Sequence, residues 1–132
     1  MTKVVNPDSL APPRGYSNGM VLGPGRILFV AGQVGWDRDA KVVSPELTAQ
    51  FAQALQNVAD VVKEAGGEPT DVGRLTIYVT DKNRYIAEAK AIGVAYREIM
   101  GKHFPAMALV EVADLLEEGA LVEIEATAVL SS

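Results

Sequence analysis

The chain has 132 residues, with 12 Lys and Arg against 17 Asp and Glu, a formal net charge of −5, and no cysteine. That length suits one domain with its own hydrophobic core, and the missing cysteines exclude disulfide frameworks, thiolate nucleophiles and cysteine-bound metals. The acidic balance, with basic residues scattered rather than clustered, gives no general attraction for nucleic acid. Apolar runs fall far short of the roughly 20 residues of a membrane helix, and the stretch 1–10, with Lys3, Asn6, Pro7 and Asp8, lacks the apolar core of a secretory signal. The expectation is one domain over residues 1–132, cytoplasmic, without a membrane or nucleic-acid partner.

Turn signals divide the chain into about seven elements. Asn18-Gly19 leads into a short strand at 20–22, Gly23-Pro24-Gly25 reads as a turn, and 26–34, rich in Ile27, Phe29 and Val30, reads as a strand that forms a hairpin with the first. Ser44-Pro45-Glu46 is a helix start: a hydroxyl N-cap, proline at the first helical position and an acid in the first turn. Leu47, Phe51, Leu55, Val58 and Val62 then mark one helical face, closed by Gly66-Gly67. Residues 72–79 alternate, with Leu75, Ile77 and Val79 on one side and Arg74, Thr76 and Tyr78 on the other. Thr80 or Asp81 caps a second helix carrying Tyr85, Ala89, Ile92, Tyr96 and Ile99, which Gly101 closes. A strand at 106–112, a loop at 114–119 and a strand at 120–130 complete the order β-β-α-β-α-β-β. This predicts a mixed β-sheet with two helices on one face.

The strand at 106–112 is apolar on both sides, with Ala106, Ala108 and Val110 on one and Met107 and Leu109 on the other; Phe29 and Ala31 alternate with Leu28 and Val30 in the same way. A sheet that is apolar on both sides needs cover on both sides, and no third helix is available. The second face is therefore expected to be buried against other copies of the chain.

The segments, in order, carry Gly15-Tyr16-Ser17, Phe29-Val30-Ala31-Gly32-Gln33, Leu55 with Asn57-Val58 and Ala65-Gly66, the strand from Leu75 to the cap Asp81, Phe104-Pro105-Ala106, Val110-Glu111-Val112 and Val122-Glu123-Ile124-Glu125-Ala126. Over roughly residues 13–130 this pattern resembles the RidA (YjgF) family. The resemblance implies a chorismate-mutase-like α+β fold and a homotrimer with three clefts between neighbouring subunits. Its typical activity is hydrolysis of reactive enamines and imines, such as 2-aminoacrylate, to ketoacids and ammonia, with no cofactor or metal.

Several positions depart from that pattern. Typical members have arginine after Pro-Ala to clasp the substrate carboxylate; here the position is Met107. A guanidinium gives two charge-assisted hydrogen bonds, each worth about 1.5–3 kcal/mol, and a thioether gives none. The serine before Gly-Gln is Ala31, the second helix is longer, and a position often asparagine is Gly93. Glu123 survives and matches the family's water-activating acid, with Gly32 and nearby amides placed to steady developing charge. Tyr16 matches a residue at the cleft mouth, Arg14 is the cation nearest that motif, and His103, the sole histidine, has no partner at catalytic or metal-binding spacing. The substrate-binding candidates are thus Arg14, Tyr16, Ala31, Gly32, Gly93 and Met107, with Glu123 as the catalytic candidate. Two readings compete. One is a divergent imine or enamine hydrolase, distinct from a typical 2-iminopropionate deaminase; the other is a metabolite-binding or regulatory trimer without turnover. Ribonuclease activity, a label often attached to the family, fits poorly with the acidic charge and unpaired histidine.

Overall fold

A computed structural model of the chain describes residues 2–131. Strands β1 (Thr2–Val5), β2 (Gly19–Leu22) and β3 (Arg26–Val34) precede helix α1 (Leu47–Glu64). Strand β4 (Val72–Val79), helices α2 (Lys82–Ala87) and α3 (Ala89–Met100), and strands β5 (Ala106–Glu111) and β6 (Val122–Leu130) follow. The main sheet has the order β3-β6-β4-β5. Its β3–β6 and β6–β4 pairs are antiparallel and β4–β5 is parallel, so α2 and α3 form the crossover between β4 and β5. No helix among the described residues is long and apolar enough to cross a membrane.

Leu47, Phe51, Leu55, Val58 and Val62 are buried along one face of α1, as their spacing predicts. They meet Leu75, Ile77 and Val79 from β4 and Val122, Ile124, Ala126 and Ala128 from β6 in one core. Gln50 is fully buried among them. Its amide donates to the carbonyls of Ser44 (2.8 Å) and Gly119 (2.9 Å), and its carbonyl accepts from the Leu121 amide at 2.8 Å, so every polar atom is satisfied. Gly35 must lack a side chain here, because a Cβ would approach the Gln50 backbone to 2.6 Å.

Three local expectations need correction. The strand at 20–22 pairs with β1 and not with β3, so the anticipated hairpin does not form. Strand β3 instead pairs with β6 from Arg26 onward, and Gly25 sits so close to the end of β6 that a Cβ there would overlap the Leu130 carbonyl. Helix α1 begins at Leu47, after Pro45; the Ser44 hydroxyl accepts from the Glu46 amide (3.0 Å) just upstream of the first turn. The second helix is divided at Glu88, whose φ of −102° and ψ of 9° leave the helical range. Glu88 departs because its carboxylate reaches α1, accepting from the Thr48 hydroxyl at 2.6 Å and amide at 3.2 Å. It supplies from 40 residues away the N-terminal cap that α1 lacks locally. That bond to Thr48, aided by Arg84, holds the Glu88 carboxyl below its ordinary pKa.

The second sheet face stands open. Ile27 is 63% exposed, Phe29 77% and Val110 44%. Direct pairings set the rows on this face: Phe29 beside Thr127, Arg74 and Ala106; Glu125 beside Thr76 and Ala108; Glu123 beside Tyr78 and Val110. The edge strands carry most of its apolar residues, joined by Val129 of β6 opposite Ile27, and the middle of the central strands carries the polar ones.

Candidate functional site

The motif at 15–17 and the segment at 104–107 lie side by side, although almost 90 residues separate them. The Ser17 hydroxyl donates to the Phe104 carbonyl at 2.5 Å, its amide donates to Pro105 at 3.1 Å, and Ser17 bridges to Ala106 in parallel. This holds Tyr16 at the mouth of a cavity of about 590 Å³ between α2, α3 and β5. Arg14, Gly93 and Met107 line the same cavity. Four of the seven candidates are therefore gathered at one place.

The cavity walls are largely aromatic and aliphatic. Tyr96 stacks on Phe104 with ring centroids 5.5 Å apart and planes 12° from parallel, and its hydroxyl donates to the His103 carbonyl at 2.6 Å. Tyr85 packs against Phe51 at 6.3 Å. Burial raises the pKa of both tyrosines, so their phenols stay protonated and neutral at physiological pH. Met107 packs against the core from β5 and contributes an apolar wall. Glu111, also on the wall, accepts from the Lys82 amide at 2.9 Å, while Asp81 caps α2 through the Arg84 amide at 3.1 Å, as its position before the helix predicts.

Ala31, Gly32 and Glu123 lie elsewhere. The pairing of β3 with β6 slips between Val30 and Gln33, which makes a bulge of Ala31-Gly32. A Cβ on Gly32 would overlap the Glu123 carboxylate, so the glycine lets that carboxylate rest on the bulged backbone. Glu123 shares the open face with Tyr78, whose hydroxyl donates to Glu125 at 2.8 Å. That bond, then partial burial and the nearby charges of Glu125 and Glu123, hold the Tyr78 phenol above its ordinary pKa. Among the described residues, the Glu123 carboxylate takes no hydrogen bond or ion pair of its own. Met107 faces the helices and Glu123 faces away from them, so one chain keeps the two sets on opposite sides of its sheet.

The family model described as endoribonuclease L-PSP matches residues 7–130. The human 2-iminobutanoate/2-iminopropanoate deaminase is 30% identical over 124 residues, covering 93% of this chain and 83% of that protein. A RutC family protein of Pyrococcus horikoshii is 33% identical over 130 residues, covering 97% and 98%. The chain belongs to the RidA/YjgF family. Among solved structures, a Yersinia pestis protein of unknown function in the conserved Rid family, YyfB, superposes with a TM-score of 0.86 at 36% identity, covering 98% of each chain. The Escherichia coli YjgF structure gives 0.68 at 31% identity, covering 86% and 87%. The α+β fold is that of these RidA/YjgF structures.

Some residues of this RidA-family cavity escape a reading of the sequence alone. Tyr85, Ile92 and Tyr96 recur at helical spacing and read as ordinary core, yet they line the cavity. Arg97 lines it too, and its only signal is its position four residues after Gly93. His103 holds the Val72 carbonyl through Nε2 at 2.6 Å.

Proposed function

We propose that three copies of the chain assemble around their open sheet faces. Each cleft between neighbours then hydrolyses an imine or enamine more apolar than a small 2-imino acid. The observation that carries this reading is the separation of the candidates: Tyr16, Gly93 and Met107 at a cavity beside the edge strand β5, and Gly32 with Glu123 on the opposite face. Docking one copy's open face on the next copy's β5 edge would join the two sets and cover Ile27, Phe29 and Val110. The relatives named as imine deaminases supply the reaction class.

In that cleft Glu123 takes a proton from water as the water oxygen adds to the imine carbon, and the nitrogen gains a proton. Glu123 then relays the carbinolamine's hydroxyl proton to the nitrogen as the C–N bond breaks, releasing ammonia and a ketone and restoring the carboxylate. An enamine first gains a proton at its β-carbon to become the imine. Backbone amides at Gly32 steady the charge on the adding oxygen. Met107 offers no charge for the carboxylate of a three-carbon substrate, whereas the neutral aromatic walls suit a larger apolar group. Cleavage of RNA finds little support: the net charge is −5, and the sole histidine is engaged with a backbone carbonyl.

The test follows ammonia release from 2-imino acids freshly generated by an amino-acid oxidase. Leucine- and phenylalanine-derived imines should turn over faster than the alanine-derived one, and Glu123→Gln should lower the rate by about 10²–10⁴-fold. Equal turnover of the alanine-derived imine contradicts the role given to Met107. Thermal stabilisation by these compounds with no product from any of them makes the protein a binding trimer instead.

A further inference from the structure

Arg97 stands one helical turn beyond Gly93 on α3 and lines the same cavity as Met107. A long side chain on a helix covers the surface over the preceding turn, which here is the bare Cα of Gly93. A Cβ on Gly93 would meet Nη1 of Arg97 at 3.3 Å, tight enough to press on the guanidinium. The absent side chain at 93 therefore gives Arg97 room to lie back along the helix at the cavity rim. No acid claims it: among the described residues the ion pairs are those of Arg84 with Glu46 and Glu88. Glu111, the acid on the cavity wall, accepts from the Lys82 amide.

The cavity thus has a largely apolar floor and three cations on its lining, Arg14, Lys82 and Arg97, none in an ion pair among the described residues; of these, Arg97 alone lies back over the bare Gly93 on α3. Its volume of about 590 Å³ is that of sites for ligands well beyond three carbons. We infer that Arg97 is the anion-contacting residue of this cleft, and that the ligand is an amphiphile with a carboxylate at the α3 rim and an apolar body across Met107 and Tyr85. The inference rests on the cleft reading above and adds to it where the charge of the ligand sits.

The experiment measures binding of 4-methyl-2-oxopentanoate, a stable ketoacid, and of its methyl ester by titration calorimetry. The wild type should hold the acid about 10- to 100-fold more tightly than the ester, the margin of a charge-assisted contact. Arg97→Met should abolish that margin, and Arg97→Lys should keep part of it. Lys90→Met, on the same helix but outside the cavity, should keep all of it. An unchanged margin in Arg97→Met, or a margin lost only in Arg14→Met, overturns the inference. Acid and ester binding the wild type equally also overturns it and leaves the cleft reading standing. Binding of neither compound defeats the cleft reading and the inference with it.

Discussion

Replacing Phe29 by Asp separates a lone chain from an assembled one. In the single chain Phe29 is 77% exposed, so the substitution removes almost no buried surface. Surface changes of that kind shift stability by about 0.5 kcal/mol or less. If the open face is an interface, burying Phe29 contributes about 1.5–3 kcal/mol per copy, and a buried carboxylate adds a desolvation penalty. Over a trimer the loss is roughly 5–9 kcal/mol, or about three to six orders of magnitude in the association constant. Size-exclusion chromatography with light scattering at micromolar protein should therefore show three times the chain mass for the wild type and one for Phe29→Asp. Phe29→Leu serves as the apolar control and should remain a trimer. A Phe29→Asp variant that scatters like the wild type, with the substitution verified by mass spectrometry, refutes the reasoning.

Two further substitutions probe the cavity and the fold. Met107→Arg should raise kcat/KM for the alanine-derived imine by about 10- to 100-fold, since one charge-assisted contact of about 1.5–3 kcal/mol is regained; steady-state kinetics with melting curves checks this. Glu88→Ala should destabilise the chain by about 1 kcal/mol at neutral pH, the usual worth of a helix cap. The folded-state pKa of Glu88 is depressed, so its stabilisation is present above the unfolded carboxylate pKa and fades as pH falls through the folded one. Denaturation curves of wild type and Glu88→Ala should accordingly converge toward acid pH, and a gap that persists or widens there contradicts the cap.

Elements whose pattern follows from their own residues were readable from the chain. Strand β4 spans the anticipated 72–79, because alternation there reports one buried face, and α1 shows its apolar stripe at the expected positions. The errors occur where distant contacts decide. Strand β2 takes β1 as its partner while β3 takes β6 from the far end of the chain, and no local pattern at 2–5 announces that pairing. The break at Glu88 exists for Thr48, 40 residues earlier, so helical periodicity runs through it unmarked. The candidate site shows the same division. Tyr16 and Met107 could be placed near one another by resemblance, but the aromatic walls looked like core because a helix face toward a cavity and one toward a core have the same period. Arg97 is visible only once Gly93 is known to leave space beneath it.

Mixed subunits show whether each cleft is built from two copies of the chain. Glu123→Gln keeps the cavity and removes the acid, whereas Met107→Trp fills the cavity and keeps the acid. If each cleft combines the cavity of one copy with Glu123 of its neighbour, equal co-expression of the two inactive variants should restore about a quarter of the wild-type imine hydrolysis by random assortment. If both mixed species are isolated through separate tags and show no activity above either variant alone, the two halves do not meet across subunits and the account is contradicted.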